Sequence, residues 1–296
     1  MSLHPAPAIP RSNDDLRDLP TIFAPDLLRG QTVFVSGAGS GMGRATAWLA
    51  ARLGAKTILG GRTEAKLAAV AEAINAVHGL EAHTQTYDIR QRDAVEVAFD
   101  AIIARHGHID LLVNSAGGQF PQAAIDFSEK GWNAVINTNL HGTWHMMHVA
   151  AQRWRSAGRG GNIVNIVVVL EGLHGVAHTS AARAGVIAFS EKAAVEWAPL
   201  GIRINCIAPG AIETEGWAVY SESTRARYPR TNPLMRAGSP WEIAEACIFL
   251  GGPGGRFING HTLVVDGGGQ HWGEIWTTGK PAYFAEATRL WDDFAS

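Results

Sequence analysis

"VSGAGSGMGRA", residues 35–45, places Gly37, Gly41 and Gly43 between a β-rich run, "TVFVS" (32–36), and a helical pattern over 42–53. Glycine serves such a junction because the backbone must turn sharply out of a strand, approach another backbone or a phosphate closely, and aim a helix N-terminus at negative charge. Three glycines alone would fit any tight turn. The strand before them and the helix after them make this one a dinucleotide-binding turn.

Outward from that turn, short β-rich runs alternate with longer helical patterns to the end of the seventh run. The strands are expected at 32–36, 56–60, 82–88, 109–114, 162–169, 202–208 and 262–266, with helices near 42–53, 63–78, 91–105, 129–155, 179–198 and 240–250. This alternation implies parallel strands joined by crossover helices, an α/β doubly wound seven-stranded parallel sheet of Rossmann-like type in a single domain. The expected domain runs from 24 to 268, with a substrate lid at 216–236. Residues 1–23, rich in proline, read as an extended N-terminal arm, and 269–296 as a tail whose Trp272, Trp276 and Trp291 need apolar cover on the body or on a neighbouring subunit.

Composition narrows the classes. A chain of 296 residues with 46% apolar and 18% charged residues suits a soluble protein with a large core. The net charge of -2 gives no support to nucleic-acid or anionic-membrane binding. The N-terminus lacks a continuous apolar stretch, so neither a secretion signal nor a span is expected there. Cys206 and Cys247 have no metal-ligand spacing, so no metal is expected, and both read as buried thiols in a reducing compartment, the cytoplasm.

The G-x-x-x-G-x-G spacing resembles the glycine signature of the short-chain dehydrogenase/reductase superfamily. Further likenesses follow in order: "VNSAGG" (113–118), "NTNLHG" (137–142), "INCIAPGAIETE" (204–215) and "INGHTLVVDGG" (258–268). The resemblance implies a nicotinamide cofactor held by Ser36, Gly37, Gly41, Met42 and Gly43 in the turn, and by Asn114, Ala116 and Gly117 after the fourth strand. It implies Asp88 and Ile89 beside the adenine, and Pro209, Gly210, Ile212 and Thr214 near the nicotinamide. Where members that use NAD carry an acid to bind the ribose 2'-hydroxyl, this chain has Gly61 followed by Arg62. A guanidinium suits a 2'-phosphate, so NADP(H) is favoured, with NAD(H) as the alternative and a solvated Arg62 as the structural explanation.

"HTSAARAG" (178–185) falls where carbonyl-reducing members carry Tyr-x-x-x-Lys, and the two positions here are Thr179 and Arg183. A threonine hydroxyl is too weak an acid to replace a phenol made acidic by a neighbouring cation. The serine expected on the preceding strand is also missing, since Val167 or Val168 fills its place. None of the tyrosines, Tyr87, Tyr220, Tyr228 and Tyr283, lies in this helix. Of the usual four residues only Asn139 remains, with Glu171, His174 and His178 as nearby polar groups. Within the superfamily, "LVNSAGGQF", "HTSAARAGVIAF" and "VEWAPLGIRINCIAPG" look most like the peroxisomal trans-2-enoyl-CoA reductases and more distantly like the 2,4-dienoyl-CoA reductases.

That resemblance implies an oxidoreductase that uses NADPH to reduce an α,β-unsaturated acyl-CoA or similar conjugated carbonyl compound. The candidate catalytic residues are Asn139, Thr179, Arg183, His174 and His178, with Arg183 also expected to bind the cofactor through its ribose hydroxyls. An alcohol or carbonyl dehydrogenase with a substituted proton relay and a catalytically silent NADP(H)-binding protein remain the alternatives. The substrate is expected to be a small molecule, an acyl-CoA if Arg225, Arg227 and Arg230 of the lid meet its phosphates and are not merely solvated. The helical patterns at 129–155 and 179–198 carry more apolar surface than one sheet face should cover, and members of the family pair such helices, so a homodimer or homotetramer is expected.

Overall fold

Every residue of β1 (Thr32–Ser36) is buried, which requires cover on both faces of the sheet. The computed structural model describes residues 9–172 and 174–273. Its helices are α1 (Asn13–Asp18), α2 (Gly41–Arg52), α3 (Glu64–Asn75), α4 (Arg92–His106), α5 (Glu129–Ile136), α6 (Thr143–Ala157), α7 (Ala177–Glu196), α8 (Glu222–Arg225) and α9 (Pro240–Gly251), of which α2, α3 and α9 cover one face and α4, α6 and α7 the other. The other strands are β2 (Lys56–Gly61), β3 (Glu81–Thr86), β4 (Leu111–Asn114), β5 (Gly161–Ile166), β6 (Ile202–Pro209) and β7 (Thr262–Val265). They pair in parallel in the order β3-β2-β1-β4-β5-β6-β7.

Alternate residues of the central strands face opposite layers. Val33, Val35, Leu111 and Val113 join one apolar cluster with residues of α2, α3 and α9. Phe34 and Leu112 join the other with residues of α4, α6 and α7. The fully buried Trp48, Phe34 and Phe99 anchor these layers, each side chain stabilising the fold by about 1.5–3 kcal/mol through burial. Strand order reverses between β1 and β4, so the loops leaving their C-terminal ends part there and open a crevice.

Three expectations need correction. The arm expected to be extended contains α1, because Ser12 and Asp15 form a reciprocal capping box and Leu16 sinks into the core. It is tied down by Trp48 Nε1 donating to Asn13 Oδ1 at 3.0 Å, by Arg52 donating to the Leu16 and Leu19 carbonyls, and by Trp241 Nε1 donating to the Pro20 carbonyl. The helix expected over 129–155 is interrupted by a π-helical turn, Asn137–Gly142, which separates α5 from α6. The strand expected to reach residue 169 ends at Ile166; Val167 N still donates to Ile207 O, and beyond it the chain leaves the sheet. Trp272 is half-buried, whereas Trp276 and Trp291 lie outside the described residues, as does the rest of the expected tail beyond residue 273.

Candidate active site

The glycine turn is built by contact. Gly37 has φ +72°, and a Cβ there would lie 2.7 Å from Ala116 N; one on Gly43 would lie 2.3 Å from Gly37 O. The β1–α2 turn therefore packs directly on the loop after β4, where Ser36 Oγ accepts from Ala116 N at 3.3 Å. Ser40 caps α2 without a side-chain bond, leaving the first N–H groups of the helix to a ligand. One already holds an anion: Gly41 N donates to Glu215 Oε2 at 3.1 Å, and Arg44 pairs with the same carboxylate at 2.8 Å. A helix N-terminus that binds a carboxylate in this way has the donors and dipole to bind a phosphate.

The neighbouring groups divide into open and committed ones. Arg62 is exposed and makes no hydrogen bond or ion pair among the described residues, so its fork is free for a phosphate. The Asp88 carboxylate is taken by Arg90, whose guanidinium holds it below the usual carboxylate range. Ile89 is buried against Gly142, and its carbonyl accepts from His145 Nδ1. Asn114 donates to Asn165 Oδ1 at 2.8 Å and ties β4 to β5. Met42 O accepts from Thr46 Oγ1 within α2. Gly210 N donates to Val265 O, just beyond Pro209 at the end of β6, and Ile212 bridges to Gly238. Thr214 accepts from Gly216 N and sets its methyl group over Gly41.

The π-helical turn aims Asn139 inward. Its Oδ1 accepts from Gly118 N at 3.0 Å, and its Nδ2 donates to Gly118 O at 2.9 Å and to Thr179 Oγ1 at 2.7 Å. Thr179, buried in the first turn of α7, thus accepts one hydrogen bond and keeps its own hydroxyl proton available to donate. Arg183 lies one turn further along α7. Its guanidinium reaches Asn139 O at 3.3 Å, Thr143 Oγ1 at 3.4 Å and Ala116 O at 3.3 Å. These are long bonds, and no carboxylate pairs with Arg183 among the described residues. Burial alone pushes it down to about 10, still protonated at neutral pH. A Cβ on Gly117 would sit 2.2 Å from Arg183 Nη2, so a side chain there would displace this guanidinium.

His178 lies elsewhere than a solvent-fed proton relay would require. Its ring is fully buried, stacked on Phe127 at 4.4 Å and edge-on to Phe120 at 4.6 Å. Nδ1 accepts from Thr179 N at 2.8 Å, Nε2 has no partner among the described residues, and burial lowers the ring's pKa, which keeps it neutral. His174 and Glu171 are exposed on the loop after β5. Val167 is buried and Val168 half-buried, so that stretch offers no hydroxyl to a substrate. Sequence reasoning passed over Glu215, Arg44, Gln119 and Tyr220. Gln119 Nε2 donates to the Tyr220 hydroxyl at 2.5 Å, joining the segment after β6 to the loop after β4. Glu81, His83 and His106 also converge, within 4.8 Å, on the outermost strand β3 and the end of α4; Lys56 stands 3.8 Å from Glu81.

A buried cation short of acceptors, a helix N-terminus holding a carboxylate, and glycines at points of close contact fit a nicotinamide dinucleotide. Residues 37–270 match a family described as enoyl-(acyl carrier protein) reductase. The peroxisomal 2,4-dienoyl-CoA reductase, (3E)-enoyl-CoA-producing, of Danio rerio is 34% identical over 253 residues, 83% of this chain and 84% of that protein. The 3-oxoacyl-(acyl-carrier-protein) reductase FabG of Aquifex aeolicus is 35% identical, over 81% of this chain and 98% of its own. Among solved structures, the citronellol catabolism dehydrogenase AtuB of Pseudomonas aeruginosa PAO1 superposes with a TM-score of 0.74 at 38% identity, covering 84% of this chain and 99% of that one.

Proposed function

This chain belongs to the short-chain dehydrogenase/reductase family and is an oxidoreductase of that type; from that premise we propose that it reduces an α,β-unsaturated acyl-CoA, or a similar conjugated carbonyl compound, with NADPH. The observation that carries the reading is the Asn139–Thr179 pair: an oriented hydroxyl donor where a strong acid would be needed for ketone reduction. The bound nicotinamide would supply a hydride. Hydride addition to the β carbon of a conjugated thioester moves charge onto the thioester oxygen, and a fixed donor stabilises that charge without surrendering its proton. In this reading Thr179 is that donor, Asn139 orients it, and Arg183 holds ribose hydroxyls. The dienoyl-CoA reductase likeness supports this substrate class, and exposed Arg225 and Arg227 on the lid suit the phosphates of CoA.

The test is a panel of enoyl-CoAs, dienoyl-CoAs, free enals, ketones and alcohols, followed by nicotinamide absorbance with products identified. Reduction confined to conjugated compounds supports the reading. Alcohol oxidation lost in His174→Ala would favour a dehydrogenase with a substituted relay, and tight NADPH binding without any turnover would favour a silent binder.

Unpaired Arg62 supports NADP(H) over NAD(H). Arg62→Ala is expected to weaken NADPH binding by about 1–3 kcal/mol, the range for lost charged hydrogen bonds, and to leave NADH nearly unchanged. Calorimetry giving equal losses for the two cofactors would remove the argument.

A homodimer or homotetramer is also proposed. Val195 on α7 is 75% exposed, Phe257 is fully exposed, and Phe249 on α9 is exposed too, apolar area that association would cover. Light scattering at micromolar concentration should give twice or four times the monomer mass, and a monomer would count against it. Among the described residues no helix is long and apolar enough to cross a membrane. The buried, free thiols of Cys206 and Cys247 fit a reducing compartment such as the cytoplasm.

A further inference from the structure

Reduction of a conjugated thioester adds a hydride and a proton, and the Asn139–Thr179 pair accounts for neither the proton nor its route. Thr179 is too weak an acid, and His178 is neutral and enclosed by Phe120 and Phe127. The inference below rests on the reading above and names the missing group.

We propose that Tyr220, brought across the crevice by the lid, protonates the α carbon of the substrate, with Gln119 and Tyr228 as its positioning residues. The hydroxyl of Tyr220 accepts from Gln119 Nε2. Gln119 follows Gly118, whose N–H and carbonyl are both held by the Asn139 side chain that also bonds Thr179. One side-chain length therefore joins the lid phenol to the loop that Asn139 of the oxygen-binding pair clamps at Gly118. Gly117 and Gly118 are exposed, so the wall between the two is open to a ligand. On its other side Tyr220 packs edge-on to Tyr228 at 5.6 Å, and Trp217 packs on Tyr228 at 4.6 Å, which holds the phenol against rotation into solvent.

Hydride forms a bond to the β carbon, and the electron pair of the double bond moves through the α carbon onto the thioester oxygen, held by Thr179. That pair returns to make the α C–H bond with the proton of Tyr220, whose O–H bond breaks. The resulting phenolate is met by the Gln119 N–H and by the Tyr228 hydroxyl. Burial, with Tyr220 as neighbour, pushes the Tyr228 phenol up, so Tyr228 keeps its proton and remains a donor. Water reaching the half-exposed Tyr220 restores its proton. A bound reduced nicotinamide would supply the hydride and Tyr220 supplies the proton, so the substrate gains two hydrogens.

The experiment is reduction of a trans-2-enoyl-CoA and of a 2,4-dienoyl-CoA by the full chain with NADPH in D2O, with the configuration at the α carbon read by NMR. Wild type is expected to place deuterium in a single configuration. Tyr220→Phe should lower kcat by about tenfold or more, give mixed configuration as water takes over, and leave the NADPH Kd unchanged. Gln119→Leu, which keeps the phenol but removes its donor, should lower kcat less and move its pH profile. A merely structural lid contact would change KM and leave the configuration single. The proposal is overturned if Tyr220→Phe keeps both rate and configuration, or if the loss appears in His174→Ala instead. Should Tyr220→Phe fail to fold, Gln119→Leu decides: unchanged rate and pH profile overturn the proposal. Wild type that reduces neither thioester sinks the reading, and this proposal with it.

Discussion

Thr179→Val is expected to slow reduction of a conjugated thioester by roughly 2.7–4 kcal/mol, or about 10²–10³ in kcat, the range for one lost oxyanion donor. Valine matches threonine in shape but has no hydroxyl, so the site loses the donor without gaining a cavity. Asn139 Nδ2 keeps its bond to Gly118 O and loses only its bond to Thr179, so folding stability should fall by about 1 kcal/mol. NADPH affinity should stay within error, because no proposed cofactor contact involves this hydroxyl. Thr179→Ser, which keeps it, should recover most of the rate. Steady-state kinetics with calorimetry separate the outcomes: a rise in KM alone, or a parallel loss of cofactor binding, would show that Thr179 does not act on developing charge.

What the sequence made legible about this site follows the range of the interactions involved. The glycine turn was legible because strand, turn and helix are neighbours in sequence and each constrains its own backbone. The break between α5 and α6 was not. The pattern over 129–155 is helical throughout, and the π-helical turn depends on Gly142 packing on Ile89 and on Asn139 being drawn to Gly118, contacts 53 and 21 residues away along the chain. Position alone put His178 among the catalytic candidates. Only packing shows that Phe120 and Phe127 enclose it while its Nδ1 secures the Thr179 amide. Glu215 escaped notice because a glutamate after a strand reads as solvated until the fold sets it on Gly41 N. The missing phenol was sought within α7, where no tyrosine lies. Tyr220 comes from the segment expected as a lid, whose tyrosines the sequence showed only to lie outside that helix.

Arg183 carries the second large effect, and its sign differs between stability and binding. A guanidinium this buried, with three long hydrogen bonds and no carboxylate, is desolvated without full compensation, as its depressed pKa of about 10 records. Replacing it with an apolar side chain of similar reach removes that cost. Arg183→Met should therefore leave the melting temperature of the cofactor-free protein unchanged or raised. If the cation is kept for the ribose hydroxyls, the same change should weaken NADPH binding by about 1.5–3 kcal/mol, roughly 10- to 150-fold, the range for hydrogen bonds to a charged group. The two effects can be read from one titration: at equal NADPH the variant should gain less stability from the cofactor, since that gain scales with the logarithm of concentration over Kd. A lower melting temperature without cofactor, together with unchanged affinity, would make Arg183 a structural residue and return the ribose to other donors. Arg183→Lys distinguishes charge from shape. A lysine keeps the cation but loses the forked reach to Ala116 O and Thr143 Oγ1 at once, so partial retention of affinity would show that the charge does most of the binding.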